Sequence, residues 1–71
     1  MKFIFKKPKD SDQEKEYQNR FFDLTKYGEN ISTLDLDENL IEFEIHLSDE
    51  VDIDQFKSYI KQSNLFHSFK L

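Results

Sequence analysis

The chain has 71 residues, with 15 Asp and Glu against 10 Lys and Arg, eight Phe, three Tyr, no cysteine and one proline. That length allows one small domain, burying roughly 60% of its extended-chain surface, and without thiols neither a disulfide nor a thiolate–metal site can staple it. No apolar run approaches the roughly 18 residues needed to cross a bilayer, and the apolar stretch at Met1–Lys7 is too short for a signal peptide, so a single cytoplasmic domain is expected.

Phe3-Ile4-Phe5, flanked by lysines, predicts a first strand that stops before Pro8. Ser11-Asp12-Gln13-Glu14 fits a capping box, with Ser11 as the cap and Glu14 reaching back. Tyr17, Phe21 and Leu24 then fall at i, i+4 and i+7, one apolar helical face. Gly28, the only glycine, stands where that helix should end, and a left-handed C-terminal residue is expected there. Two alternating runs follow: Leu34 and Leu36 alternate with Asp35 and Asp37, and Ile41, Phe43, Ile45 and Leu47 alternate with Glu42, Glu44 and His46. Period two predicts a hairpin with one buried and one solvated face, turning at Asp37-Glu38-Asn39. On this phase Leu34 and Leu36 point into the core, and Asp35 and Asp37 share the solvated face with Glu42, Glu44 and His46.

The second helix has Asp52 as cap, Gln55 three residues on, and a staple of Val51 with Phe56. Its stripe is Ile53, Phe56 and Ile60, with Tyr59 at the margin, and Ser63-Asn64 ends it. Residues 65–71 alternate again, a short last strand with Leu65, Phe69 and Leu71 on one side and Phe66 on the other.

The order β-α-β-β-α-β closes most economically as a ferredoxin-like α+β domain, two helices on one face of a four-stranded antiparallel sheet. The second and last strands are then its edges, and the first lies between the third and fourth, bringing Lys2 and Lys6 beside Glu42 and Glu44. The stretches Asn30–Asp37, Leu40–Ile45 and Val51–Ile60 resemble the heavy-metal-associated domain, with its alternating "V-x-V-D" strand and "VD-x-x-x-L-x-x-x-I" helix. The resemblance implies the same fold. It does not carry over the family's metal transfer, because the loop Lys7–Glu14, where the family's Cys-x-x-Cys belongs, has no cysteine.

Charge is unevenly spread. Residues 1–9 hold four lysines and no acid, whereas residues 33–56 hold nine acids and no Lys or Arg. Such a block repels nucleic-acid backbones and anionic lipid, so direct binding to either is not expected. RNA-recognition modules place stacking aromatics where this chain has Glu42 and Glu44. No catalytic residues are assigned, since His46 and His67 stand in no nucleophile motif. No cofactor or metal site is assigned either: Glu42, Glu44 and His46 on one strand face read as solvation, and Asp35-x-Asp37-x-Asn39 lacks the glycine and glutamate of a calcium loop.

The remaining signal points to a protein partner. Asp35, Asp37, Glu42, Glu44, Asp49, Glu50 and Asp52 are the expected partner-binding residues of a small acidic, non-enzymatic module for a basic protein surface. The concrete form is an inhibitor that occupies the basic channel of a nucleic-acid-handling protein. Small acidic proteins of viruses and mobile elements act in this way, and a composition rich in Lys, Asn, Ile and Phe, residues with A/T-rich codons, and devoid of Ala points to an A/T-rich microbial or viral genome. The alternatives are a heavy-metal-associated-like domain with a degenerate site, or a structural module paired through its sheet edges. Phe22, and an apolar spot of Ile4 with Phe66, are further candidate anchors.

Overall fold

The computed structural model describes residues 1–70. Its elements run β1 (Lys2–Lys6), α1 (Ser11–Leu24), β2 (Gly28–Asp35), β3 (Leu40–Leu47), α2 (Ile53–Lys61) and β4 (Phe66–Lys70). The strands form one antiparallel sheet in the order β2-β3-β1-β4, the ferredoxin-like arrangement, with β2 and β4 at the edges. No described helix is long and apolar enough to cross a membrane. The seventh residue of the expected last strand, Leu71, lies outside the described residues.

Alternation does most of the building. In β1, Phe3 and Phe5 point to the helices and are buried, while Lys2 and Lys6 point away. In β3, Ile41, Phe43 and Ile45 do the same. Leu24 of α1 and Phe56 and Ile60 of α2 close over them, with Leu65 at the far side. The centre is aromatic: Phe3 stacks on Phe43 with centroids 5.4 Å apart, and Phe56 meets Phe3 edge-on at 6.2 Å. Tyr17 and Phe21 reach Phe43 from α1.

The cap of α1 is one residue earlier than Ser11. The Asp10 carboxylate accepts from the Gln13 N–H at 2.8 Å, and the Gln13 side chain accepts from the Lys9 N–H at 2.9 Å. A carboxylate at this position also faces the positive end of the helix dipole, an advantage a neutral serine lacks. Asp52 caps α2 as expected, accepting from the Gln55 N–H at 3.1 Å. Val51 and Phe56 both pack on the core, but Ile53 is 54% exposed and belongs to no apolar stripe.

Gly28 does not end α1. The helix stops at Leu24 with Thr25 in ordinary right-handed geometry, and Gly28 opens β2 without a positive φ. Its value is closeness: it pairs with Leu47, and a Cβ there would lie 2.2 Å from the His46 carbonyl oxygen.

The largest departure is the phase of β2. The Asp37 carboxylate accepts from the Asn39 and Leu40 N–H groups, at 2.7 and 2.9 Å, and pins a three-residue turn. That turn joins Leu36 to Leu40, so Asp35 falls opposite Ile41 and Leu34 opposite Glu42. Leu34 therefore lies on the uncovered face, 57% exposed, and Leu36 is exposed as well. A bulge follows between Glu29 and Ser32, with Asn30 at φ 56, a left-handed value that Asn tolerates. The extra residue lets Ile31 pack on the core while Glu29 still meets His46.

A second bulge sits in β4, where Ile4 faces Ser68 but Phe5 faces Phe66. Phe66 consequently shares the helix-covered side, 6.4 Å from Phe5 and 4.9 Å from Phe69. Ile4 stays on the other face, so the expected Ile4–Phe66 spot does not form.

Candidate protein-binding site

The seven acidic candidates do not make one patch. Asp37 sits at the hairpin tip, and Asp49, Glu50 and Asp52 lie beyond the other end of β3. Eight residues at about 3.3 Å each separate the two groups by roughly 25 Å. Asp35 is on the helix-covered side, opposite Ile41, with Lys7 Nζ 3.4 Å away. Its expected place beside Glu42 and Glu44 is ruled out by the turn length. Asp37 and Asp52 commit their carboxylates to backbone N–H groups.

Glu42 and Glu44 do share the uncovered sheet face, yet their surroundings differ. Glu42 is only 6% exposed, because Lys70 reaches across β1 to place its Nζ 2.6 Å from the carboxylate. Glu44 is exposed and opposite Lys2. Lys6 falls opposite Leu40 rather than an acid.

An acidic concavity lies at the end of the sheet where β2 begins and β3 stops. Glu29, His46, Leu47, Ser48, Asp49 and Glu50 line a hollow of about 340 Å³. The β2–β3 register puts Glu29 directly opposite His46, and the chain turns immediately afterwards through Asp49 and Glu50. Among the described residues, no Lys or Arg nitrogen comes within 4.0 Å of Glu29, Asp49 or Glu50. Sequence reasoning missed Glu29, since only strand register brings it to residues twenty positions later. Counting back along β2 from the Asp37 turn, with one extra residue for the bulge, is the signal that finds it.

An apolar groove of about 510 Å³ lies between α1 and the β2 edge, lined by Tyr17, Phe21, Phe22 and Thr33 with Glu14 at its rim. Phe22 is 65% exposed, its ring under Lys26 Nζ at 5.4 Å. The Tyr17 hydroxyl is pushed above its ordinary pKa by burial and by the nearby carboxylates of Glu14 and Asp35.

A polar cluster joins the two helices, and the sequence did not announce it. Arg20, the only arginine, donates to the Tyr59 hydroxyl at 2.7 Å, and that hydroxyl donates to Asp23. Arg20 Nε lies 2.8 Å from Glu16 but misaligned, an ion pair rather than a hydrogen bond. Lys26 Nζ is 3.6 Å from Asp23. The Tyr59 hydrogen bond, helped by Lys26 and Arg20, holds the Asp23 carboxyl below its usual range against partial burial. Burial, then the bond to Asp23, raises Tyr59, against the pull of Arg20. The cluster's partners are all internal, and it ties α1 to α2.

Chemically the arrangement offers charge and shape. Among the described residues no three His, Asp or Glu side chains converge closely enough to hold an ion. The imidazole of His67 meets a hydroxyl, Ser68, at 2.9 Å, but the two are neighbours on an exposed edge strand. No family model matches the chain, and no curated protein or solved structure matches it either.

Proposed function

We propose that this chain is a non-enzymatic binding module whose acidic end docks on a basic surface of a nucleic-acid-handling protein and so inhibits it. The observation that carries this reading is the hollow at Glu29, Asp49 and Glu50, acids that among the described residues have no Lys or Arg nitrogen within 4.0 Å, while Asp35 and Glu42 each have a lysine. Asp52 and Asp54 at the start of α2 extend the same sign. Uncompensated charge around a concave surface raises the local potential, which speeds encounter with a basic partner and rejects an acidic one. Channels that hold phosphates are basic surfaces of that kind.

The test is affinity capture at low and high salt, with Glu29→Lys, Asp49→Lys and Glu50→Lys combined as the control. Asp52 is kept because it caps α2. A nucleic-acid-binding protein retained by the native chain, released by salt, displaced by duplex DNA and lost with the triple variant supports the reading. Equal capture by both forms shows that these acids only keep the domain soluble, and the inhibitor reading fails.

A further inference from the structure

The uncovered face of the sheet is divided by charge. Its β2–β3 half carries Glu29, Glu42, Glu44 and His46 and has no Lys or Arg, while its β1–β4 half carries Lys2, Lys6 and Lys70 and has no acid. The registers arrange this face in rows. One row runs Ser32, Glu44, Lys2, Lys70, and the next runs Leu34, Glu42, Ile4, Ser68. Glu42 and Lys70 neutralise each other. Lys2 and Glu44, although opposite one another and both exposed, make no contact within 4.0 Å. Leu34 and Leu36 stand exposed beside them.

We infer that this face is the interface of a homodimer, two copies packed sheet on sheet about a two-fold axis lying between the sheets along the strand direction. Rotation about that axis exchanges left and right, so β3 of one protomer lies over β1 of its partner and β2 over the partner's β4. Glu44 then meets the partner's Lys2, and by symmetry Lys2 meets the partner's Glu44: one surface supplies both halves of two ion pairs. Leu34, large and exposed, covers the partner's Ser68, which is small. A two-fold axis lying across the strands instead stacks acid on acid and lysine on lysine, a juxtaposition that like-charge repulsion disfavours. The charge pattern therefore selects both the occupant of the face and its orientation. Four strands make a strip about 19 Å wide at about 4.8 Å spacing, at the small end of stable interfaces, so the dimer is a weak one.

The experiment is sedimentation equilibrium on the full chain at low salt, from micromolar to millimolar concentration, with far-ultraviolet circular dichroism to verify folding. The native chain should move from the mass of one chain toward two, and fall back at high salt. Glu44→Lys alone and Lys2→Glu alone should each associate at least tenfold more weakly. Mixed in equal amounts they should recover the two-chain mass, because each of the two contacts across the axis then again joins opposite charges, one pair reversed in sign and the other native. Leu34→Lys, at a position 57% exposed, should fold by circular dichroism and also stay monomeric. A native chain that remains at one-chain mass throughout overturns the inference. So does undiminished association of the single variants, which points to the sheet edges, or a mixture that stays monomeric. Glu29, Asp49 and Glu50 are untouched in every variant, so the result is independent of the acidic-end reading.

Discussion

The two faces of the sheet solve opposite problems with the same alternating code. On the covered face, Phe3, Phe5, Phe43 and Ile45 are sealed under two helices, and each is at most 2% exposed. Cohesion there is collective: rings 5–6 Å apart exclude water and interdigitate. On the other face, side chains of the same strands are mostly charged; Lys70 is paired on Glu42, while Lys2 and Glu44 stand opposite one another without contact. The contrast teaches that this domain concentrates its stability on one side and keeps the other for charge. So short a chain has no second apolar layer to bury.

The sharpest way to break the contrast is to remove a ring from the covered face. Phe43→Ala should lose about 3–5 kcal/mol, a large part of the roughly 5–15 kcal/mol that holds a small domain together. Urea titration should show the midpoint collapsing or no folded baseline at all. Near-native stability would mean that the core is not organised around Phe43.

Next in size are two changes that probe how the uncovered side and its strands are held. Gly28→Ala places a methyl against the His46 carbonyl, where backbone must give way, and should cost about 1–3 kcal/mol as overpacking does. If the substitution is neutral or stabilising, β2 and β3 are not as close there as the register requires. Lys70→Ala leaves the Glu42 carboxylate with no partner in a nearly enclosed position, and a loss of about 1–3 kcal/mol is expected. Adding Glu42→Gln to that variant should recover most of it. Additive losses in the double variant would show that the pair is not coupled.

The smallest effect sharpens the comparison at the seam between the helices. Tyr59→Phe removes the hydroxyl bound by Arg20 and Asp23 and should cost less than any change above. Its signature is in the pH dependence. Asp23 has a lowered pKa when folded, so its contribution is present above the ordinary carboxylate value of about 3.9 and is lost as pH falls through the folded value. Tyr59 has a raised pKa, so its contribution is present below about 10 and is lost as pH rises through the folded value. Thermal melts of the native chain and of Tyr59→Phe, from acid to alkaline pH, should therefore differ most near neutrality and converge at both extremes. Parallel curves across the range would show that the cluster adds nothing to stability.

Where the pattern was local, it could be read from the residues. Phe3 and Phe5, the β3 alternation, the Asp52 cap and the Asp37–Asn39 turn are each decided within a few positions by sterics or by a side chain bonding its own backbone. Some local readings failed by themselves, Ser11 as the cap and Gly28 as the end of α1, but the error that moved the site came where two local readings competed. Leu34 and Leu36 do alternate with acids, but the turn at Asp37 is also correct, and an odd loop forces Leu34 opposite Glu42. Turn geometry outweighed hydrophobic phase, and in the register it set, Thr33 lies opposite Phe43 and Ile31, two residues back, packs on the core in place of the two leucines. The candidate site suffered most from this: Asp35 changed faces, Glu42 became enclosed, and Glu29 joined Asp49 and Glu50.

By itself, then, the sequence determined the number and order of elements, which strands are edges, and the identity of the aromatic core. These follow from periodicity, caps and the need of each apolar stripe for cover. Only the tertiary structure decided which acids are free. Whether a carboxylate meets a lysine, a backbone N–H or open solvent depends on strand register and on bulges, and one extra residue in β2 is enough to move every side chain beyond it to the other face.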